Sequence, residues 1–476
     1  MQSRRERHQE DLFVTGPLRD LVPADHILRR LDAVLDLGWL HAELRDCYCP
    51  DNGRPSIDPE CALRFMLAGF LEGIVHDRTL MRRAQTDLAF RWFAGYRLDE
   101  VLPDHSSLTR IRQRWGAARF KKIFERTVSD CVKAGLVRGD TVHVDATLIR
   151  ADVSWGSLTR EHVEQVLESN AEEDGNDESP PAPKRGRRRT KPVLAKKKST
   201  TDPEASMATS RRDFHLEPTF KQHTAVDDQV GVIVDVAVQT GEANEGRQLL
   251  EQLGRIEANT GRTVSTLTAD KGYAHAANYA GLEQRSIAPI IPPQAIAVRK
   301  PGEQKIPVCR FKYDERKDRI TCPAGKWMTA KTRTTKGNGY IYRARQADCQ
   351  NCPMRERCIS SSARARSVLI MDGHCALLRA RRQRARGWKE EVKTIYRRHC
   401  WLVEGAHGRA KAHHGLRRAA RRGLDNVAIQ SYLTAAVMNL KKMAQHKLAG
   451  GLNSILGTLY KRLWTLTTPQ IRLCAA

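Results

Sequence analysis

The sequence predicts an α/β protein: a mixed β-sheet with flanking helices, an all-α N-terminal domain before it, and a small cysteine-rich insertion within it. Three observations predict this. Apolar residues recur at helical spacing through the first 135 positions, strand-like alternation begins near residue 140, and five cysteines gather between residues 298 and 371. The boundaries that follow are 1–137 for the helical domain, 138–297 for the first part of the sheet domain, 298–371 for the insertion, 372–447 for a second part of the sheet domain, and 448–476 for a C-terminal tail.

The N-terminal domain reads as helices joined by short turns. "VPADHILRRLDAVLDLGWL" repeats apolar residues with a helical period, and "SIDPECALRFMLAGFLEGI" opens on an Asp-Pro helix start. "DRTLMRRAQTDLAFRWFAG" and "PDHSSLTRIRQRW" follow; in the latter Asp104 or Ser106 can cap a helix presenting Arg110, Arg112 and Arg114. A helix, a short turn with proline and a short basic helix fit a helix-turn-helix reader of DNA, with Arg110 and Arg112 as contacts. Arg-rich surface helices are also common without that role.

In the sheet domain "TVHVDATLI" alternates like a strand and carries Asp145, and "FKQHTAVD" and "GVIVDVAVQTG" give two more strands. A helix, "EGRQLLEQLGRIEANTG", leads to the strand "TVSTLTAD", which ends at Asp270. "KGYAHAANYAGLEQRS" then reads as a helix and "IAPIIPP" as a short strand. Three consecutive strands followed by helix-strand-helix-strand predict a mixed sheet with helices against it. Residues 155–212 interrupt this order as a charged linker: eight acids lie within 161–178 and nine Lys/Arg within 184–198, a composition expected to be disordered.

Charge narrows the class of partner. Lys and Arg number 81 against 55 Asp and Glu, a net charge of +26 with a pI of about 9.8. Residues 376–422 alone hold 15 basic and three acidic side chains, +12 of that total. So dense a patch suits a polyanion, and nucleic acid is the default. The N-terminus lacks the apolar core of a secretory signal, and no run is long enough for a membrane helix. The expectation is a cytoplasmic protein with no membrane partner. In a reducing compartment, clustered cysteines point to metal rather than disulfides. "CQNC" followed by "PMRERC" forms a compact knuckle, and with Cys322 the thiolates of Cys349, Cys352 and Cys358 make a four-ligand set for one structural Zn²⁺.

"RRHCWLVEGAHGRAKAHHG", residues 397–415, holds a single acid, Glu404, among basic side chains. On a helix Glu404, His407 or Gly408, and Lys411 share one face. By itself this reads as an ion pair on a solvated helix. Two strand aspartates and a helix glutamate together suit a two-metal phosphoryl-transfer site, in which Asp145, Asp270 and Glu404 hold two Mg²⁺ ions. The surrounding Arg398, Arg409, Arg417, Arg418, Arg421 and Arg422 would then hold DNA phosphates.

Here the chain resembles the DDE transposases of bacterial insertion sequences, of the type with a helical N-terminal domain and a cysteine-bearing insertion. The resemblance rests on "DPECALRFMLAGFLEGI", "LAFRWFAG", "PDHSSLTRIR", "VHVDATLIRADVS", "FKQHTAVDDQVGVIVDVAVQTGEANEG", "TADKGYAHAANYAGLE", "CPAG", "CQNCPMRERC" and "VEGAHGRAKAHHGLRRAARRGL", in that order between residues 58 and 445. It implies an RNase H-like catalytic domain with Asp145, Asp270 and Glu404 as metal-binding triad, Lys411 touching DNA near the scissile phosphate, and Lys271 and Tyr273 flanking the second aspartate. It further implies cleavage and strand transfer at the ends of an insertion sequence. The expected partners are double-stranded DNA, at terminal inverted repeats and at a target, and a second copy of the chain, on the bacterial nucleoid. Two positions depart from the family's pattern: Ala146 follows Asp145, and Cys400 stands four residues before Glu404 where relatives carry Arg, with Arg397 or Arg398 as substitutes. A non-catalytic DNA-binding zinc protein is the alternative, which the intact "ADKGY" and "VEGAHGRAK" argue against.

Overall fold

The computed structural model describes residues 16–49, 56–153, 201–209, 216–294, 306–335 and 337–467. The chain divides into two compact units: one of residues 1–124, 413–415 and 433–476, the other of residues 125–412 and 416–432.

The first unit is helical, as its periodicity predicts. Helices α1 (Ile27–Asp32), α2 (Leu40–Glu43), α3 (Pro59–Leu71), α4 (Asp77–Thr86) and α5 (Leu88–Phe93) precede α6 (His105–Lys133), which bends at Gly116, a residue with φ of 69°. Helix α3 starts where the Asp-Pro pair places it, because the Asp58 side chain accepts the Glu60 N–H at 2.6 Å and Pro59 needs no donor at the first turn. Asp104 does the same for α6, accepting from Ser106 at 2.8 Å. Leu63, Phe65, Met66 and Phe70 of α3, Leu80 of α4, Phe90 and Phe93 of α5, and Leu108, Ile111 and Trp115 of α6 are all buried.

One expectation for this unit is corrected. Arg112 is 2% exposed and cannot meet a phosphate; its two terminal nitrogens hold the Asp77 carboxylate at 2.5 and 2.6 Å, and Thr109 Oγ1 donates to the same carboxylate at 2.9 Å. The pair ties α4 to α6. Arg110, two residues earlier, is exposed.

The second unit is built on a six-stranded mixed sheet. Its strands are β1 (Thr141–Arg150), β2 (Ser206–Thr209), β3 (Leu216–Asp227), β4 (Ile233–Thr240), β5 (Thr266–Ala269) and β6 (Ala288–Ile290), in the order β2-β3-β1-β5-β6 with β4 also on β3. Strands β1 and β3 are antiparallel, whereas β1, β5 and β6 run parallel. The charged linker needs correction at its C-terminal end: residues 206–209 pair with β3, from Ser206 opposite Thr219 to Thr209 opposite Leu216. Residues 155–200 and 210–212 of that linker lie outside the described residues. Helix α7 (Leu249–Thr260) joins β4 to β5. The stretch expected as one helix after Asp270 is instead a 3₁₀ turn, Lys271–Tyr273, followed by α8 (Ala276–Gln284), because His275 between them is extended.

Residues 306–371 carry two three-stranded antiparallel sheets. One is β7 (Lys312–Asp314), β8 (Arg319–Thr321) and β9 (Trp327–Met328); the other is β10 (Ala330–Arg333), β11 (Gly339–Arg343) and β12 (Ser367–Met371). Phe311, Ile320, Met328, Tyr342, Val368 and Ile370 form their common core. The short helices α9 (Gln346–Gln350) and α10 (Arg355–Cys358) lie between β11 and β12, and α11 (His374–Ala385) and α12 (Glu390–His399) follow. A π-helical turn, Cys400–Glu404, leads into α13 (Gly405–His413), and a last helix spans Leu424–Thr467. No described helix is long and apolar enough to cross a membrane.

The Arg112–Asp77 pair sets a stability prediction. Removing one partner strands a charge that is 3–5% exposed, so Arg112→Ala should cost about 3–5 kcal/mol in denaturant unfolding. Arg110→Ala should cost under about 0.5 kcal/mol. Equal losses would show that the pair does not brace these helices.

Candidate active site

Strand register brings the two aspartates together. The last pair between the parallel strands is Val144 opposite Ala269, so the next residues, Asp145 and Asp270, stand side by side on strands about 4.8 Å apart. Asp270 leaves the strand at once and caps the 3₁₀ turn, its Oδ1 accepting the Gly272 N–H at 2.8 Å. Burial first, then the nearby Asp145 and Glu245 charges, push the Asp270 carboxyl up to about 6, against the Gly272 and Tyr273 N–H groups that favour its ionised form. Carboxylates held this closely in a partly desolvated place oppose each other's ionisation.

Glu245, which the sequence does not single out, is the acid beside Asp270. A Cβ on Gly272 would lie 2.7 Å from Glu245 Oε2 and 3.1 Å from Asp270 Oδ1, so glycine alone fits between them. Glu245 is in turn paired with Lys221 of β3, Oε1 to Nζ at 3.2 Å. Beside Asp145 stands His407, 7% exposed, with Nδ1 3.6 Å from Asp145 Oδ2.

The Glu404 segment follows a different backbone path from the regular helix expected. It ends the π-helical turn, is exposed, and begins the run into α13. The Cys400 thiol, one π-turn earlier, is raised by burial, then by Glu404 and also by Asp145, which puts both acids on its side of the molecule. Among the described residues, no three His, Cys, Asp or Glu side chains stand close enough to hold a metal ion. The observed grouping is therefore Asp145 with Asp270, Glu245 against the latter, and Glu404 on the neighbouring helix.

The expected DNA contacts divide into two sets. Lys271, Arg409, Arg417, Arg418 and Arg422 are exposed, and Arg421 is half-buried. Arg418 and Arg422 also meet Asp152, at its carboxylate (3.2 Å) and its carbonyl oxygen (3.0 Å). Lys411 is half-buried, its ammonium lowered by burial and by Arg417 and Arg150, while Asp145 opposes the shift. Tyr273 is corrected outright: it is 0% exposed with its hydroxyl 3.4 Å from His223 Nδ1, a core residue beneath the site. Arg398 is largely committed within the fold, with Nε 2.7 Å from Asp228 Oδ1 and Nη2 donating to the Asp228 carbonyl.

The four cysteines expected as a knuckle lie on and beside short elements between β8 and β12. Cys322 opens the β8–β9 turn, Cys349 lies in α9, Cys352 just after it, and Cys358 ends α10. The Cys358 thiol is raised by burial and, against Arg366, by Cys349, Cys352 and Cys322, so the four are neighbours without closing into a metal-holding group.

The half-buried Asp270 carboxyl, with Asp145 beside it, has a pH signature. The fold holds the Asp270 proton more tightly than the unfolded chain, whose Asp titrates near about 4. This group therefore favours folding at acid pH and loses that contribution as pH rises through about 6. Asp270→Asn should raise the melting temperature of the metal-free protein by a few degrees at about pH 7.5 and hardly at all at about pH 4. A shift of equal size at both would mean that the half-buried Asp270 charge is not its origin.

Two family models match the chain. Residues 16–114 match the Transposase domain (DUF772), and residues 321–444 match the Transposase DDE domain, a span that contains Glu404 and the four cysteines but neither Asp145 nor Asp270. No curated protein matches the chain. With a helical first unit under one match and the Glu404 helix under the other, the two matches support a DDE transposase of the insertion-sequence type.

Proposed function

We propose that this protein is the transposase of an insertion sequence, cutting DNA at the ends of its element and joining them to a target, with Asp145, Asp270 and Glu404 as the residues that hold two Mg²⁺ ions. One observation carries the reading: Asp145 and Asp270 directly follow the last β1–β5 register pair, and the Asp270 carboxyl is raised by burial and then by Asp145. Hard carboxylate oxygens are the donors Mg²⁺ takes. When bound, the metal pair supplies an activated water or 3′-hydroxyl and stabilises the leaving oxygen.

The chain's own groups do the rest. Asp145 is fixed by β1 and faced by His407, and Asp270 by the Gly272 N–H. Lys411 stands within the field of Asp145, where it can meet the phosphate being cut and offset charge that develops on it. Lys271, Arg409, Arg417, Arg418 and Arg422 offer exposed cations to the flanking phosphates, with Arg421 among them, while Arg110 of the helical unit is left as a candidate reader of the ends. Such phosphate contacts position DNA without reading its sequence. A second copy of the chain would hold the other end of the element.

Asp145→Ala, Asp270→Ala and Glu404→Ala should each abolish cleavage of end DNA in Mg²⁺ while leaving DNA binding within a few-fold of the parent. Near-parental cleavage by any of them removes that residue from the ligand set. Glu404 is the informative member, because the alternative ligand Glu245 already lies against Asp270.

For the cysteines we propose one structural Zn²⁺ on Cys322, Cys349, Cys352 and Cys358, supported by the convergence of the other three on the Cys358 thiol. Metal analysis should find one zinc per chain, lost in Cys352→Ser; a parent protein without zinc would overturn it.

A further inference from the structure

A chain of buried polar groups runs under the paired carboxylates. His143 of β1 and Thr268 of β5 are register partners, and each lies two residues before an aspartate of the pair. Because side chains alternate across a strand, His143 and Asp145 share one face of the sheet, as do Thr268 and Asp270. On that face the last residue of α12, His399, docks. Its Nδ1 is 2.8 Å from Thr268 Oγ1, and Thr268 Oγ1 is 2.7 Å from His143 Nδ1. The far side of His143 closes the chain, with Nε2 2.9 Å from Asp228 Oδ1, the carboxylate that Arg398 of α12 also holds. His143 and His399 are 0% and 3% exposed, and Tyr396 stacks on His399 at 5.5 Å.

The chemistry of the groups fixes a direction. A carboxylate only accepts, so His143 Nε2 carries the hydrogen toward Asp228. In that Nε2–H tautomer His143 Nδ1 is the acceptor of the Thr268 hydroxyl proton. With its one hydrogen committed, Thr268 Oγ1 accepts from His399 Nδ1–H. Each buried donor then has an acceptor, and the α12 terminus is pinned to both aspartate strands at once. Five residues after His399 comes Glu404.

We propose that the His143–Thr268–His399 chain is the positioning device that sets the Glu404 segment against the Asp145–Asp270 face. This rests on the reading of those three acids as joint metal ligands. Thr268 serves both strands and helix through one hydroxyl, so Thr268→Val removes the link with little change in volume, and Thr268→Ser keeps it.

Three proteins, parent and the two variants, are compared by histidine ¹⁵N NMR and by Mn²⁺ titration followed by electron paramagnetic resonance, without DNA. In the parent, His143 should be the Nε2–H tautomer and His399 the Nδ1–H tautomer. Thr268→Val should lose this signature and bind Mn²⁺ about tenfold more weakly, as expected when an outer-shell partner of a metal site is removed. Thr268→Ser should retain both properties. A parental His399 in the Nε2–H form overturns the chain, whether or not the variants fold. Unchanged Mn²⁺ affinity in folded Thr268→Val overturns the positioning role alone. Absence of Mn²⁺ binding in the parent overturns the metal reading, and the positioning role with it.

Discussion

Two carboxylates that repel each other are locked in place by the register of β1 against β5. The parallel pairing leaves no freedom to separate Asp145 from Asp270 without breaking ladder hydrogen bonds that extend back to Thr141 and Thr266. The surrounding structure answers this constraint. Backbone N–H groups of the 3₁₀ turn favour ionised Asp270, His407 faces Asp145, and Glu245 is held against Lys221 rather than left to add a free third charge. Protonation of Asp270 relieves the conflict below about pH 6; above that a bound cation would relieve it, and the proposed metal site would give this arrangement a purpose.

The same constraint explains the placement of the helices that follow the second pair of sheets. Helix α12 ends on Thr268, one pleat away from the aspartates, and Arg398 anchors its flank on Asp228. The π-helical turn then carries the chain out to Glu404 and into α13, whose His407 returns to Asp145. Glu404 is thus delivered from a base pinned on both sides. Exposed arginines and lysines lie on this run and beyond it, where a polyanion would approach.

Much of the sheet is legible in the sequence, because β1, β3 and β4 alternate or run apolar between clear turns, and because Asp145 and Asp270 each end up in a strand context. The helix starts at Asp58 and Asp104 are legible because capping is local chemistry. What is not legible is long-range. Arg112 and Arg110 look alike in "LTRIRQRW", and only a partner 35 residues away, Asp77, makes one of them core. Tyr273 follows the "ADKGY" pattern toward DNA, yet it is buried with its hydroxyl against His223. Glu245 lies in "GEANEG", with no periodicity to mark it, and its significance comes from Gly272 standing opposite. The short β2 was hidden in a charged linker because strand pairing with β3, rather than its own composition, defines it. The Cys400 departure is also clearer in three dimensions: the backbone there is π-helical, so a spacing counted on a regular helix does not carry over from Cys400 to Glu404.

The central claim is that the Asp145–Asp270 pair is one half of a cation site completed by Glu404. Its most direct test is anomalous diffraction from crystals of the full chain soaked in Mn²⁺. The account predicts peaks bound by Asp145 and Asp270 oxygens at about 2.1 Å, the distance of a hard divalent ion, with Glu404 in the ligand shell. A map without density between these carboxylates, or with the ion held by Glu245 while Glu404 stays in solvent, would contradict it.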